Sequence, residues 1–455
     1  MTIRFVPDAQ WFRSQKGNGV LAGSPLTYFG VTDAGSKILD AIESNADLPQ
    51  NHSQLTDRLL ATGAVHPAQS LEANSSDVTV VIPAFITDTQ SHTNLENLIA
   101  SLIGLAIVVV DDASPHPVHI SGARVIRHDT NKGPAAARNT GIALVATKFV
   151  ACVDADVSVT GEQLLTLAGY LADERVAMVA PRITSLNDKT FIGEFESLHS
   201  PLDLGSTPAL VRPMSRVSYL PATVLVCNTN SLRTVGSFDE SLRLGEDVDL
   251  VWRCTESGLW CRYVPAIECP HRARRSIRAL FRQRFEYGSS AAALDQRHPH
   301  RASPLRAHAL LLVAAMSILM GLLSVAVVFI ALTILYFCWS LRSTKISMTS
   351  RTRLAWLGVT STTKLLAQAI MRCWWPLFLL ASLVSWRPGV MLTFSALVPS
   401  IFGLMRFKPN HPIRYLLVRI ISDMSYASGV WAGAIRVRSV RCLLPVITVR
   451  RSISR

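Results

Sequence analysis

Two well-separated acidic clusters hold the side chains best suited to chemistry: Val153-Asp154-Ala155-Asp156-Val157 and Gly245-Glu246-Asp247-Val248-Asp249. The first closes an apolar run, Lys148–Val153, that reads as a buried strand. Carboxylates at the carboxyl end of such a strand sit where open α/β sheets bind ligands. Two acids spaced by one residue can hold a divalent metal, which in turn neutralises a diphosphate. The second cluster supplies a free carboxylate, Asp247 or Glu246, to deprotonate a hydroxyl. Together they point to transfer of a group from a nucleotide diphosphate. For the second cluster the bland reading is an N-terminal charge cap on a helix.

Further polar positions fit the same chemistry. Asp111-Asp112-Ala113-Ser114 closes another strand, and its oxygens can accept from a nucleobase N–H or from ribose hydroxyls, or simply form an Asx turn. Asn131-Lys132-Gly133-Pro134-Ala135-Ala136-Ala137-Arg138-Asn139 reads as a turn into a helix, whose small residues allow close backbone approach and whose N-terminus favours negative charge. Arg138, one turn in, can reach a base or phosphate, unless it is an ordinary surface arginine. His271, after the strand-like Arg262-Tyr263-Val264, can complete a metal site with Asp154 and Asp156. Arg282 and Arg284 lie on a helical pattern and can stabilise a departing diphosphate or form a basic membrane-facing collar. Asp-x-Asp-x-Val also resembles the nucleophile motif of haloacid-dehalogenase phosphatases. That motif belongs on the first core strand, whereas three strand candidates precede it here.

The elements that must position these residues alternate from Val78 onward. Val78–Ile82 is an apolar run stopped by Pro83, followed by a helix holding Leu95, Leu98, Ile99 and Leu102. Strands are expected at Ile107–Val110, Val125–Ile126, Phe149–Val153, Met178–Ala180 and Thr223–Asn228, with a helix from about Gly133. This alternation predicts an α/β fold, a mostly parallel sheet with helices on both faces. Residues 1–65, rich in turn signals and with a helix from Gly35, are expected to form a small N-terminal domain. Residues 66–77 read as a linker, 78–305 as the catalytic domain and 306–455 as a distinct hydrophobic, basic region.

Composition separates that last region. The chain has 455 residues, 49% of them hydrophobic, a mean hydropathy of +0.29 and a net charge of +13. Ten Arg and three acids lie between Arg262 and Arg306, and Asp423 is the sole acid from Gln296 onward. Basic sequence alternating with long apolar runs suits an anionic membrane surface and argues against nucleic acid. Ala307–Trp339 is uncharged for 33 residues, too long for one upright helix and short for two spans. Its basic flanks both prefer the cytosol, so a hairpin turning near Gly321–Ser324 is expected. Pro376–Phe402, interrupted by Arg387-Pro388-Gly389, suggests two short halves or an interfacial segment. The eight Cys show no Cys-x-x-Cys spacing, so neither a disulfide framework nor a zinc site is expected. The first residues lack the apolar stretch of a signal peptide, so the bulk of the chain is expected to stay inside the cell, at the cytoplasmic face of the membrane.

Taken in order, VVIPAF, VVVDDAS, NKGPAAARNTG, CVDADV, GEDVDLVWR and the later His resemble a family 2 glycosyltransferase with the GT-A fold. A closer resemblance is to the mycofactocin-system glycosyltransferases of actinobacteria. It rests on Ser200-Pro201-Leu202-Asp203-Leu204-Gly205, Ser215–Pro221, Leu242–Arg253, Phe285–Ala292 and the N-terminal Arg4-Phe5-Val6-Pro7-Asp8 and Gly23-Ser24-Pro25-Leu26. Cys227-Asn228-Thr229-Asn230 departs from it, a more basic sequence being expected there.

The resemblance implies inverting transfer of glucose from UDP-glucose to mycofactocin, a peptide-derived redox cofactor, to build a short β-linked chain. Pro83, Asp111, Asp112, Asn131, Gly133, Arg138, Asp154 and Arg284 would bind the nucleotide sugar. Asp154, Asp156 and His271 would hold Mg²⁺ or Mn²⁺. Asp247, beside Glu246, would be the base, and the N-terminal domain is a candidate for recognising the peptide-derived acceptor. Other readings are a membrane polysaccharide or glycolipid synthase of the same fold, and an inactive membrane-bound peptide-binding adaptor.

Overall fold

The computed structural model of the chain describes residues 4–48, 53–68, 73–186, 190–272, 276–344 and 346–449. They form two units, Met1–Ala9 with Ala41–Ala273 and Gln10–Asp40 with Arg274–Arg455. The expected N-terminal domain is therefore divided. Phe5–Pro7 pairs antiparallel with Val65–Pro67, and buried His66 hydrogen-bonds Asp8 at 3.1 Å, so the expected linker opens inside a strand. The next stretch, a three-stranded antiparallel sheet of Trp11–Arg13, Gly19–Ala22 and Thr27–Gly30, belongs to the second unit, where Leu21 packs on Leu341 and Ile346.

In the first unit the apolar runs become a sheet because β-branched and small apolar residues pack on both of its faces. Its strands are β1 (Val78–Ala84), β2 (Ala106–Asp111), β3 (Arg124–Arg127), β4 (Phe149–Val153), β5 (Val176–Ser185), β6 (Ala209–Leu210), β7 (Val224–Asn228) and β8 (Trp260–His271). Their spatial order is β6-β8-β5-β7-β4-β1-β2-β3, with β6 and β7 antiparallel to their neighbours and the other pairings parallel. Helices α1 (Thr89–Ser101), α2 (Pro134–Ala143), α3 (Gly161–Gly169), α4 (Phe191–His199) and α5 (Glu246–Glu256) accompany the sheet. Val80, Ile82, Leu95, Leu98, Val109, Ala151, Val153, Leu164 and Val179 form its core.

Two features open the carboxyl edge of the sheet. β1 pairs with β4 only as far as Val81 and Cys152, but with β2 as far as Ala84 and Asp111. Pro83 stands past the β4 pairing, where its missing N–H costs no ladder bond. A strand order that reverses beside β1 leaves a crevice at such a point, where ligands bind in open α/β sheets.

The second unit is largely helical: α6 (Ile277–Arg297), α7 (Ala309–Met320), α8 (Leu323–Ser340), α9 (Met348–Ala369), α10 (Trp375–Ser382), α11 (Trp386–Phe407) and α12 (Pro412–Val437). A π-helical turn, Ile370–Trp374, joins α9 to α10. α6 and α12 pack so closely that a Cβ on Gly288 would lie 2.0 Å from Tyr426 O, and one on Gly429 2.0 Å from Phe285 O. This packing draws α6 into the second unit and away from the expected 78–305 domain. The chain turns at Gly321, which adopts φ 78° in the expected α7–α8 bend. The apolar run 376–402 does fall into two helices, but it breaks at 383–385, just before Arg387-Pro388-Gly389. That tripeptide forms the first turn of α11, where proline's lack of an N–H removes no helical bond. Among the described residues three stretches, Leu323–Thr344, Met348–Ser382 and Trp386–Phe407, are long and apolar enough to cross a membrane. All eight cysteines are buried and unpaired.

Candidate active site

The acids at the end of β2 are held by their own surroundings. Asp111 accepts from the Ser114 N–H at 2.9 Å and the Val118 N–H at 3.2 Å, and pairs with Arg127. Burial alone would raise its carboxyl, but these partners hold it below the usual range. Asp112 accepts from the backbone N–H groups of Lys132 and Gly133, both at 2.8 Å, and meets His128 at 2.7 Å. Asn131 donates back to the Asp112 carbonyl at 3.1 Å. The Asp112 carboxylate thus shapes the 131–133 turn that launches α2. Gly133 sits there at φ 91°, a conformation L side chains rarely adopt.

Asp154 follows β4 directly, its N–H bonded to Thr223 O at 2.9 Å. Its Oδ1 accepts from Arg138 Nη2 at 2.7 Å, while Arg138 Nη1 donates to Glu246 Oε1 at 3.0 Å. Arg138 is buried above Phe238, and its Nε has no partner among the described residues. Burial would lower its pKa, but the two carboxylates outweigh that and keep it charged. Sequence reading put Arg138 against a base or phosphate; here it joins the first acidic cluster to the second.

Glu246 and Asp247 open α5 behind Gly245, which takes a left-handed conformation at the helix cap. Asp247 is half-buried and accepts from the Ala222 N–H at 3.2 Å and the Val248 N–H at 2.8 Å. Burial raises its carboxyl, against Arg138 and those N–H groups. Glu246 is pushed up to about 7, first by burial and then by the Asp247 charge, with Arg138 opposing. Residues 222 and 223 therefore link the clusters a second time, one contacting Asp247 and the other Asp154. Asp249 serves the scaffold: it holds Arg253 at 2.8 Å, and Arg253 grips the carbonyls of Val235 and Ser237.

His271 ends β8, and its Nε2 lies 3.2 Å from Asp156 Oδ2. Val157 bridges to His271, and Arg272 N donates to Asp156 O at 3.3 Å, which fixes the two segments side by side. An imidazole nitrogen and a carboxylate oxygen at this separation suit a divalent cation. Among the described residues no three His, Cys, Asp or Glu gather into a metal cluster, because Asp154 turns to Arg138. Arg284 belongs to the second unit, where it is buried with Nε 3.3 Å from Ser422 Oγ.

Sequence reading passed over Arg127 and His128, which hold Asp111 and Asp112. It also passed over Asn139, whose amide donates to Phe238 O at 2.8 Å and accepts from Phe238 N at 3.0 Å. The Arg127-His128 pair directly after a short apolar strand was the available signal.

Residues 79–236 match the family described as glycosyl transferase family 2. The chain is 37% identical over 451 residues to the pre-mycofactocin glycosyltransferase of Mycobacterium tuberculosis, covering 95% of each chain. It is 26% identical over 211 residues to a succinoglycan biosynthesis protein of Rhizobium meliloti, covering 42% of this chain and 59% of that one. Among solved structures, a mannosyltransferase from Pyrobaculum calidifontis in complex with GDP-Man and Mn²⁺ superposes with a TM-score of 0.37 at 14% identity, over 68% of this chain and 93% of that one.

Proposed function

The chain belongs to the mycofactocin-system glycosyltransferases of family 2, enzymes with a GT-A catalytic fold, and from that premise we propose that it moves glucose from UDP-glucose onto a peptide-derived mycofactocin acceptor. Repeated transfer would build a short β-linked chain. In this reading Asp247 takes the proton from the acceptor hydroxyl. The freed oxygen attacks the anomeric carbon from the face opposite UDP, and the bond to the diphosphate oxygen breaks with its electron pair. One displacement inverts the anomer, so an α-linked donor yields a β-glycoside. The segments bearing Asp111, Asp112, Asn131 and Gly133 would cradle the nucleotide, with Pro83 at the mouth of the crevice.

Asp156 and His271, with Asp154 in the same turn, fit a divalent cation as donors. Bound there, Mg²⁺ or Mn²⁺ would offset the charge of the diphosphate. The observation that carries the proposal is the Arg138 bridge, which sets the carboxylate that follows β4 beside the acid pair that opens α5. The apolar C-terminal helices would keep the enzyme at the cytoplasmic face of a membrane.

The test is to incubate detergent-solubilised full-length protein with UDP-glucose, Mg²⁺ or Mn²⁺ and a mycofactocin precursor, and to follow product mass. Hexose additions that vanish in Asp247→Asn support reaction and base together. UDP-glucose hydrolysis without addition would keep the glycosyltransferase and reject the acceptor. Absence of both product and hydrolysis would overturn the proposed reaction.

A further inference from the structure

The two turns between the C-terminal helices are open and apolar. Met320, Leu322 and Leu323 are exposed between α7 and α8, and Leu383, Val384 and Trp386 between α10 and α11, with 90% of Val384 exposed. The turns are neighbours: Arg387 Nη1 donates to Met320 O at 2.5 Å, satisfying a carbonyl that the end of α7 leaves free. Two helical hairpins therefore bring their tips together.

Away from the tips, both hairpins meet a polar layer built on α6 and α12. Arg372 lies 3.7 Å from Asp423 and over the Tyr426 ring, while Trp431 Nε1 donates to Cys373 O at 2.7 Å. α12 thus advances from Asp423 to Trp431 while the π-helical turn advances by a single residue, so the two cross steeply. α6 runs with α12: Ser425 bonds Phe281 O, and Gln296 bonds Val437 O. α6 also exposes Arg278 and Arg282, which suits this layer to the headgroup region. The base of α7 joins it, since Leu305 and Ala307 pack with Ala369 and Trp374, and the His308 ring is 4.8 Å from that of Tyr336. α11 meets it partway along its length, where Ser395, Pro399 and Ser400 line a small cavity with Arg419 and Asp423.

Counting from this layer to the tips sets a depth. α7 has 12 residues and α10 has 8. At about 1.5 Å per residue these arms reach about 12–18 Å, and the Tyr336–Leu323 arm of α8 about 20 Å. A bilayer's hydrocarbon core is about 30 Å thick, so arms of this length end near its middle. Although three stretches are long enough to cross, the layer meets each of them before its far end.

We infer that both hairpins enter a single leaflet, with the Leu322 and Val384 tips among the acyl chain ends, where Arg387 keeps its guanidinium on the Met320 carbonyl, and the α6–α12 layer among the headgroups. The lipid this arrangement fits is anionic. Arg306 and Arg342 are exposed beside the hairpin bases, Arg372 and Arg419 share Asp423 at 3.7 and 3.5 Å, and Asp423 is the only acid after Asp295, so the bases keep a net positive charge. The inference rests on the reading that this unit associates with a membrane, and it adds that the association is one-sided.

The test uses full-length protein in sealed vesicles of phosphatidylcholine and phosphatidylglycerol. Val384→Cys and, separately, Leu322→Cys carry an environment-sensitive fluorophore, and wild type measures background from the buried native cysteines. Both labels should lose most fluorescence to nitroxides at the acyl chain ends. Before labelling, both cysteines should resist impermeant maleimide supplied outside the vesicles or sealed within them. Reaction from the side opposite the catalytic unit would show a crossing and overturn the inference. Strongest quenching by headgroup nitroxides would overturn it by showing no insertion. Failure of the protein to float with the vesicles would reject the membrane reading itself.

Discussion

Arg138 Nη2 donates to Asp154 Oδ1 at 2.7 Å, with the arginine buried and the aspartate at the mouth of the crevice. The same guanidinium holds Glu246, so its removal leaves two carboxylates facing a low-dielectric space without a counter-charge. Removing one partner of such a pair costs about 3–5 kcal/mol. Arg138→Met should lower the thermal midpoint strongly and abolish transfer. Arg138→Lys should recover part of the stability and little activity, because an ammonium cannot span both acids as a planar fork does. Thermal unfolding of the three proteins checks this; a midpoint for Arg138→Met equal to wild type would remove the bridge from the account.

Asp247→Asn keeps the shape of the side chain and removes its basicity. The turnover rate should fall by roughly 10²–10⁴-fold. UDP-glucose affinity, read by calorimetry, should stay within about twofold of wild type, since the proposed role is proton transfer and not donor binding. Loss of donor binding in step with rate would assign Asp247 to the substrate and not to the base.

Glu246 has a pH signature with a definite sign. Burial lifts its carboxyl from 4.5 to about 7, so between those values the native chain keeps a proton that the unfolded chain releases. The stability this group contributes is full below the unfolded value and is lost as pH rises through about 7. Glu246→Gln cannot release that proton. Its thermal midpoint should therefore fall less than that of wild type between pH 5 and pH 8. An identical pH dependence in the two proteins would contradict a raised Glu246.

Asp156 and His271 stand 3.2 Å apart as a pair of donors. Asp156→Ala and His271→Ala should each weaken Mn²⁺ binding by roughly tenfold or more, measured by electron paramagnetic resonance of free Mn²⁺. Donor affinity at saturating Mn²⁺ should fall less. Unchanged Mn²⁺ titrations in both variants would move the cation elsewhere.

Gly133 tests the turn that Asp112 shapes. A Cβ there meets no atom within 4 Å, so Gly133→Ala acts through backbone strain at φ 91° alone. A cost of about 1–2 kcal/mol is expected, together with weaker UDP-glucose binding. Alanine tolerated with no change in donor affinity would separate this turn from the nucleotide.

Local structure was legible in the sequence. Runs such as Val78–Ile82 and Phe149–Val153 are strands in the fold because their length and apolar continuity suit a doubly covered sheet. Alternation with helical stretches made that sheet mostly parallel. The acids at 154, 156, 246 and 247 stood out because carboxylates at the carboxyl end of a sheet strand sit where open α/β sheets bind ligands, and a second acidic pair could supply a base. Tertiary structure alone decided what each charge faces. Asp111 and Asp112 read either as acceptors for a nucleotide or as a local turn, and Arg127, His128 and backbone N–H groups hold them, partners that only the folding of β3 and α2 against β2 brings near. Arg138 read as a ligand contact or an ordinary surface arginine, and packing of α2 toward α5 made it a buried bridge between acids. Likewise, no local signal parts Phe5 from Leu21. One pairs with a strand at Val65–Pro67 and the other packs against Leu341, because a side chain's period is set by its neighbours in sequence, but its partner is set by long-range packing.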